Sequence, residues 1–376
     1  MRLAFLNYHY DTDLQDCSSL IERYHSTTAW SESVRKAGAD SVTVVQRFRS
    51  SCLMSIDGVA YHFVDDGLPP KLPWHANPRV FHALIGKLNP DIIHYNGKPS
   101  AGRFLRKAVA PRIPIVWQHH GGGLPTGATK WWYRYTFHVF DAFLFSASDL
   151  GREWKNAGIV GPDQPVFEIL EASSLFKSID QESARLRLLL EGREIFLWVG
   201  RLNRNKDPIT VLRAFAIVAK DFIDPHIYFL YGDGDLLADV EAEIKDLGIA
   251  KSVHLLGHVD RALMPEYYSA ADYFVLGSHH EGSGFALLEA LACGLAPIVT
   301  NIPSFRKMLS GSTLGPLWEA GDISSLVEAI RQVRITNPGR TSIRNHFERH
   351  LSYENLGMQA LSIYRSVISR KSEVQP

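Results

Sequence analysis

Apolar runs and amphipathic stretches alternate along the first half of the chain. Continuous apolar runs predict buried strands at residues 2–8 and 41–48. The stretches 27–38 and 77–90 carry the spacing of helices, and prolines bound the second. Short apolar strands that alternate with helices predict a parallel sheet covered by helices on both faces.

The same alternation restarts in the second half, where further apolar strands and helices follow a break. The predicted fold class is therefore α/β, with two Rossmann-like, doubly wound domains facing each other across a cleft. We place the first domain at 1–172, a linker at 173–194 and the second domain at 195–351. The amphipathic stretch 352–370 is predicted as a helix that packs back on the first domain.

The composition limits which classes of function and which cellular compartment are expected. The chain has 376 residues, which suits two domains, and its 45% hydrophobic content can fill two cores. Lys+Arg and Asp+Glu both number 40, so a dedicated nucleic-acid binder is not expected. Three cysteines at spacings without a metal or disulfide pattern favour a reducing compartment. We predict a cytoplasmic protein, with the inner face of a membrane as an open alternative.

Two cations follow a predicted strand in the stretch VGRLNRNKDP. Gly200 lets a ligand approach the backbone closely. Arg201 and Lys206 then lie at the carboxyl end of a strand and near a helix N-terminus, which suits a diphosphate. An ordinary loop with solvated cations is the alternative. Gly232 begins a second tight turn, whose sequence is not the G-x-G-x-x-G of dinucleotide-binding proteins.

A carboxylate interrupts the apolar run FALLEALAC, for which we predict a helix over about 285–293. The N-terminus of this helix attracts phosphate. Glu281 precedes the helix and Glu289 lies about one turn inside it. Both suit a sugar diol, because an ionised carboxylate accepts two hydroxyl hydrogen bonds. Buried Glu289 needs a partner, and a salt bridge to an arginine of a neighbouring element is the alternative to a ligand.

The pattern S-x-x-E-G-x-G-x-x-x-x-E-A-x-A-x-G, whose acids are Glu281 and Glu289, resembles the signature of the retaining GT-B glycosyltransferases of family 4, the glycosyl transferases group 1. Other stretches agree with this family in the same order: PDIIHYNG, PIVWQHHG, DAFLFSASDL, VGRLNRNKDP, LYGDG, VHLLGHV and AADYFVLGS. The resemblance covers nearly the whole chain and is more specific in the second half. The stretch ILEASSLF (169–176) departs from it, since the family usually has Asn-Gly there.

The resemblance implies a role for each matching residue. Glu281 would hold hydroxyls of the donor hexose and Glu289 the ribose of the nucleotide. Arg201 and Lys206 would neutralise the diphosphate leaving group, and His120 would lie near the anomeric centre. The other donor contacts that it implies are Gly200, Gly232, His258, Val259, Gly282, Ser283, Gly284 and Phe285. Because cations can stabilise the leaving group, we expect no metal and no cofactor besides the nucleotide-sugar substrate.

Three patterns have alternative interpretations. Adjacent histidines, as at 119–120 and 279–280, point to opposite faces of a strand, so neither pair is predicted to chelate one ion. Asp233 and Asp235 match a metal-binding pattern, but Asp235 is better placed to cap the next helix. The aromatic and basic stretch 129–140 is predicted to be a helix that packs its rings on the first domain. Its alternative is a peripheral membrane contact that guides a lipid-linked acceptor.

The sequence thus predicts a retaining, metal-independent hexosyltransferase of glycan or glycoconjugate biosynthesis. Its donor would be a nucleotide-diphosphate sugar, and its acceptor a glycan, a lipid-linked sugar or a small molecule. One alternative is a sugar-nucleotide epimerase on the same architecture, which would need no acceptor. The other is a catalytically silent subunit that binds a sugar nucleotide without turnover.

Overall fold

The computed structural model describes residues 1–311, 313–336 and 338–374. The chain divides into two compact units. The first contains Met1–Ala172 and the C-terminal stretch from Tyr353, and the second contains Ser173–Ser352. Each unit has one largely parallel sheet covered by helices, so the predicted fold class of two Rossmann-like, doubly wound domains is confirmed.

The first unit contains eight strands and seven α-helices among the described residues. Its strands are β1 (Arg2–Asn7), β2 (Ser41–Arg47), β3 (Cys52–Ile56), β4 (Val59–Val64), β5 (Ile92–Asn96), β6 (Ile115–Gln118), β7 (Ala142–Phe145) and β8 (Val166–Glu168). Its helices are α1 (Cys17–Arg23), α2 (His25–Lys36), α3 (Arg79–Leu88), α4 (Gly102–Ala108), α5 (Gly127–Phe137), α6 (Ser148–Asn156) and, at the end of the chain, α15 (Tyr353–Val374).

The second unit contains six strands and eight α-helices among the described residues. Its strands are β9 (Glu194–Arg201), β10 (Pro225–Gly232), β11 (Val253–Gly257), β12 (Tyr273–Leu276), β13 (Ala296–Thr300) and β14 (Leu317–Trp318). Its helices are α7 (Gln181–Leu188), α8 (Pro208–Val218), α9 (Leu237–Asp246), α10 (Met264–Ala270), α11 (Phe285–Ala292), α12 (Pro303–Met308), α13 (Ile323–Thr336) and α14 (Arg340–His350).

The sheet of the first unit has the order β3-β4-β2-β1-β5-β6-β7-β8. Its strand pairs are parallel except β3 with β4, which form an antiparallel hairpin at the edge. Asp57 and Gly58 join these two strands with positive φ angles of 49° and 77°. A two-residue turn with both φ angles positive matches the twist of a hairpin, and Asp-Gly is a preferred sequence for it.

The C-terminal helix α15 packs on α2 and so completes the first unit. The helices approach closely at Gly357, where a Cβ atom would lie 2.3 Å from the backbone oxygen of Ser33. Further along α15, Tyr364 is fully buried, and the Lys371 ammonium lies 2.8 Å from the Asp141 carboxylate.

The sheet of the second unit has the order β11-β10-β9-β12-β13-β14 and is parallel. The order of the strands reverses between β9 and β12. These two strands pair over only two positions, Phe196 with Tyr273 and Leu197 with Phe274. A reversal of this kind leaves a crevice beyond the carboxyl ends of the two strands, which is where ligands bind in open α/β sheets.

Residues 173–194, placed in a linker by the sequence, belong to the second unit. Helix α7 begins after Asp180, whose side chain accepts a hydrogen bond from the Ser183 N–H (2.9 Å). Arg185 anchors it, with Nε donating to the Ala270 carbonyl (2.8 Å) and Nη2 lying 2.6 Å from the Asp272 carboxylate. The contacts of Arg185 join residues that are 85 and 87 positions apart in the sequence, so local patterns do not reveal them.

Helix α5 overlaps the aromatic stretch 129–140 but does not pack all of its rings on the first unit. Phe137 is buried, and the Tyr133 ring lies 5.9 Å from that of Trp154. In contrast, Trp131 is 66% exposed and Tyr135 is 51% exposed. The predicted helix is therefore present but packs its rings on the first unit along one side only, because rings surround the helix and only one side faces the core.

No helix among residues 1–311, 313–336 and 338–374 is both long enough and apolar enough to cross a membrane.

Candidate functional site

The crevice between β9 and β12 encloses a volume of about 510 Å³. Its walls come from the loops that follow β9, β10, β11 and β12 and from the first turns of α11. We call it the β9–β12 crevice. It is lined by Val199, Gly200, Arg201, Asn203, Asn205, Lys206, Leu230, Tyr231, Gly232, His258, Val259, Met264, Glu281, Phe285, Ala286 and Glu289.

The loop after β9 is held in one conformation by its own polar side chains. Asn203 Oδ1 accepts a hydrogen bond from the Lys206 N–H (3.0 Å). Asp207, with a φ angle of 44°, caps α8 by accepting from the Thr210 N–H (3.2 Å). Gly200 leaves room for this turn, since a Cβ there would lie 3.3 Å from Lys206 Cγ. The loop thereby turns the Lys206 side chain toward the crevice.

Asn205 ties this loop to the loop after β12. Its Nδ2 donates to the carbonyl of His280 (3.1 Å), and its Oδ1 accepts from the His280 N–H (3.0 Å). Its backbone carbonyl also accepts from the His279 N–H (2.8 Å). The two loops that carry the predicted ligand-binding residues Lys206 and Glu281 are therefore fixed to each other. The sequence analysis did not single out Asn205, and its only local signal is a position beside Lys206.

Lys206 and Glu281 form an ion pair across the two loops. Their side chains are only 18% and 13% exposed, so the pair is largely shielded from bulk water. Shielding strengthens the attraction between the two charges, because the effective dielectric constant is lower than that of water. The cation predicted to bind a diphosphate and the carboxylate predicted to bind hydroxyls thus lie side by side.

Glu289 is buried and has two protein partners. Tyr268 donates its hydroxyl to Oε2 (2.9 Å), and Arg261 Nη1 lies 3.1 Å from Oε1. Burial raises the pKa of the Glu289 carboxyl, and the Arg261 charge opposes that rise. The salt bridge left open by the sequence is thus present, although Glu289 also lines the crevice. The guanidinium of Arg261 in turn lies 4.8 Å from the ring centre of Phe176.

Helix α11 begins beside this pair of loops. Its N-cap, Gly284, has a φ angle of 55°, and a Cβ atom there would lie 2.5 Å from the Phe305 ring. Only glycine suits both the conformation and the space. Gly282, Ser283 and Gly284 form the approach to the helix but are not among the lining residues, and Ser283 is buried.

The structure brings most of the predicted donor residues into one crevice. The predicted residues that line it are Gly200, Arg201, Lys206, Gly232, His258, Val259, Glu281, Phe285 and Glu289.

His120 belongs to the first unit, in the loop after β6. Its Nδ1 contacts the Glu171 carboxylate, and its Nε2 lies 2.9 Å from Asn96 Oδ1. Neither partner was predicted as a functional residue. Asn96 lies in the stretch PDIIHYNG, which matches the family pattern. Glu171 lies in ILEASSLF, where the chain departs from that pattern.

Among the described residues, Glu191, His226 and His254 offer ligand atoms within 4.8 Å of one another. These residues are not part of the crevice lining. His226 Nδ1 and His254 Nε2 lie 2.7 Å apart and form a hydrogen bond, which accounts for both rings without an ion. Asp235 does not cap α9, contrary to the prediction. The N-cap is Leu236, whose N–H donates to the Leu202 carbonyl (3.0 Å) and so starts the helix one residue later.

Two Rossmann-like units, one with a polar crevice at its topological switch point, define a protein of the GT-B class. The family model "Glycosyltransferase Family 4" matches residues 21–163, and the model "Glycosyl transferases group 1" matches residues 180–348. The chain belongs to the GT-B glycosyltransferases and is of the family 4 type, as the sequence pattern predicted.

Individual proteins similar to this chain share about a third of its residues or fewer over the matched stretches. The chain is 34% identical over 145 residues to UDP-Gal:alpha-D-GlcNAc-diphosphoundecaprenol alpha-1,3-galactosyltransferase of Escherichia coli. The matched stretch covers 38% of this chain and 36% of that protein. It is 26% identical over 310 residues, 73% of this chain and 80% of the relative, to N-acetyl-alpha-D-glucosaminyl L-malate synthase of Bacillus anthracis. The match thus spans little more than a third of the Escherichia coli protein.

A solved structure with the same fold is sucrose-phosphate synthase from Thermosynechococcus elongatus. It superposes with a TM-score of 0.72 over 98% of this chain and 99% of that one, at 17% identity. At this identity the likeness concerns the fold alone.

Proposed function

We propose that the chain is a hexosyltransferase that moves a hexose from a nucleotide-diphosphate sugar to an acceptor. The observation that carries this proposal is the shielded Lys206–Glu281 pair in the β9–β12 crevice, with Arg201 in the same lining. The crevice offers cations for a diphosphate and a carboxylate for sugar hydroxyls within one space. The donor named in the Escherichia coli relative, UDP-Gal, is of this chemical class.

The chemistry of transfer explains why these charges are needed. As the glycosidic bond breaks, negative charge develops on the departing diphosphate and positive charge on the sugar. Arg201 and Lys206 stabilise the leaving group, and the N-terminus of α11 adds its dipole to the same end of the crevice. Since two side-chain cations supply this charge, we propose a transfer that needs no metal ion.

We propose retention of anomeric configuration, by attack on the face that the leaving group departs from, with the leaving phosphate as the base. Retention is what the family resemblance implies, and the two lining carboxylates support a transfer without a nucleophile supplied by the protein. Glu281 is paired with Lys206, and Glu289 is held by Arg261 and Tyr268. Neither is arranged as the nucleophile of a retaining glycosidase, whose two carboxyl groups flank the reacting carbon.

We also propose a role in glycan or glycoconjugate biosynthesis. The name of the Escherichia coli relative includes a sugar carried on diphosphoundecaprenol, so a lipid-linked acceptor is one candidate class. The exposed rings of Trp131 and Tyr135 on α5 support a peripheral membrane contact, because such rings favour the bilayer interface. A cytoplasmic location stays a prediction.

The proposal is tested by a donor screen followed by turnover. Thermal unfolding is measured with UDP-galactose, UDP-glucose, UDP-N-acetylglucosamine and GDP-mannose, because a ligand that binds the native state raises its melting temperature. With the best donor, Lys206→Ala and Glu281→Ala should each reduce transfer, or hydrolysis to water, by about 100-fold or more. Lys220→Ala, at an exposed lysine of the same unit, is the charge control.

The outcomes separate the alternatives. Wild-type turnover in Lys206→Ala or Glu281→Ala would refute the proposal. Conversion of the donor to another sugar nucleotide without any acceptor would indicate the epimerase. Donor binding with neither hydrolysis nor transfer would indicate the silent binding subunit.

A further inference from the structure

A chain of hydrogen bonds links the C-terminal helix to His120 within the first unit. The Tyr364 hydroxyl on α15 lies 2.6 Å from His94 Nδ1, and His94 Nε2 lies 3.3 Å from Asn96 Oδ1. The same amide oxygen lies 2.9 Å from His120 Nε2. Nδ1 of His120 then contacts the Glu171 carboxylate. Five side chains from distant parts of the sequence thus form one continuous path.

The first half of this path has a defined direction. His94 is fully buried, and burial lowers its pKa to about 3, so its ring is neutral. A phenol is a better donor than a neutral imidazole, so Tyr364 donates to Nδ1 of His94. The remaining proton of His94 is therefore on Nε2, which donates to Asn96. This requires Asn96 to present its oxygen rather than its amide nitrogen to both histidines.

The direction decides the state of His120. Its Nε2 faces an oxygen that is already an acceptor, so it must donate. Its Nδ1 faces a carboxylate, which is also an acceptor. A ring that donates from both nitrogens is an imidazolium, and the Glu171 carboxylate is its counter-charge.

We propose that Glu171 and Asn96 are positioning residues that hold His120 as a doubly protonated cation with a fixed ring plane. The proposal rests on the proposed function and on the role that the family resemblance implies for His120. Glu171 is only 12% exposed while His120 is 50% exposed, so the carboxylate supports the ring from the protein side and leaves one side of the ring open.

Other ionisable groups near the ring do not replace Glu171. His94 is neutral, as shown above. His119 donates from Nε2 to the Gly122 carbonyl (2.8 Å) and accepts from the Gly121 N–H at Nδ1 (3.2 Å), and burial lowers its pKa, which disfavours a second cation there. Glu171 also lies in the stretch ILEASSLF, where this chain departs from the family pattern, so the ion pair is a property of this chain's own residues.

Glu171→Gln tests the proposal, because it keeps the shape of the side chain and removes its charge. We expect kcat for transfer or donor hydrolysis to fall about tenfold, the size expected for one charge-assisted hydrogen bond, with the KM of the donor unchanged. The decline of kcat at alkaline pH should begin at lower pH, because the imidazolium has lost its counter-charge. Glu22→Gln, at an exposed glutamate of α1, is the matched control.

A second readout does not depend on activity. In nitrogen-15 NMR of the histidine-labelled protein near about pH 7, the His120 signals, assigned with His120→Asn, should show both ring nitrogens protonated. In Glu171→Gln they should show a neutral ring. A neutral His120 in the wild type, or wild-type kcat and pH profile in Glu171→Gln, would overturn the proposal. A wild type that binds none of the donors would instead count against the proposed function. The NMR result would still decide the proposal about Glu171 and His120.

Discussion

Glu289→Gln separates the two possible roles of the buried carboxylate. The substitution keeps the size of the side chain and an oxygen that can accept from Tyr268, but it removes the charge that faces Arg261. If Glu289 serves the ribose of the donor, the variant should lose affinity. If Glu289 serves only the salt bridge, the affinity for the donor should stay unchanged.

The structure fixes the sign of the stability change. Burial raises the pKa of Glu289, which means that the folded protein disfavours the charged form despite Arg261. For an acid whose folded pKa is raised, stability falls as pH rises from the unfolded value toward the folded one. A neutral glutamine removes that loss. Glu289→Gln should therefore be no less stable than the wild type at neutral pH, and its advantage should shrink as pH falls through the same window.

The expected loss of affinity follows from the bonds that a ribose would make. A hydrogen bond to a charged acceptor contributes about 1.5–3 kcal/mol, which corresponds to about a 10- to 150-fold change in Kd. Calorimetric titration with the nucleotide diphosphate of the best donor measures the affinity, and urea unfolding at several pH values measures the stability. Unchanged affinity would refute the ribose role and leave Glu289 with a structural role only. A loss of several kcal/mol of stability at neutral pH would contradict the sign derived from burial.

Substitutions at three further positions test the support of the crevice and the packing of the first unit. Asn205→Ala should lower turnover about tenfold, because it releases the loop after β12. Asn205→Asp should have an intermediate turnover, because it keeps only the acceptor for the His280 N–H. Equal turnover in the wild type and both variants would contradict this prediction. Gly284→Ala should destabilise the protein by about 1–3 kcal/mol in urea unfolding, since it meets both a positive φ angle and the Phe305 ring. Gly357→Ala should cost about 1–3 kcal/mol because its Cβ meets the backbone of Ser33, whereas exposed Met358→Ala should not.

Local patterns in the sequence predicted the elements that carry the site. The apolar run before Arg201 became β9, and the run FALLEALAC became α11, with Gly284 at its start. The strand order that places the switch point between β9 and β12 was not predicted. The hairpin β3–β4 was not predicted, although its Asp57-Gly58 turn is a recognisable signal.

Contacts between distant residues could not be predicted in the same way. Arg261 and Tyr268 reach Glu289 from 28 and 21 residues away. Glu171 reaches His120 across 51 residues, and the departure from the family pattern at ILEASSLF gave no indication of that partner. Sequence periodicity fixes which face of an element is buried, but it does not say which polar group meets which across two elements.

The most direct test of the account is a crystal structure of the protein with its best donor. We predict the diphosphate in the β9–β12 crevice, in contact with Arg201 and Lys206 and directed toward the N-terminus of α11. Glu281 should then contact hydroxyls of the hexose, and Glu289 those of the ribose. A nucleotide bound outside this crevice, or bound within it with its diphosphate away from both cations, would contradict the account.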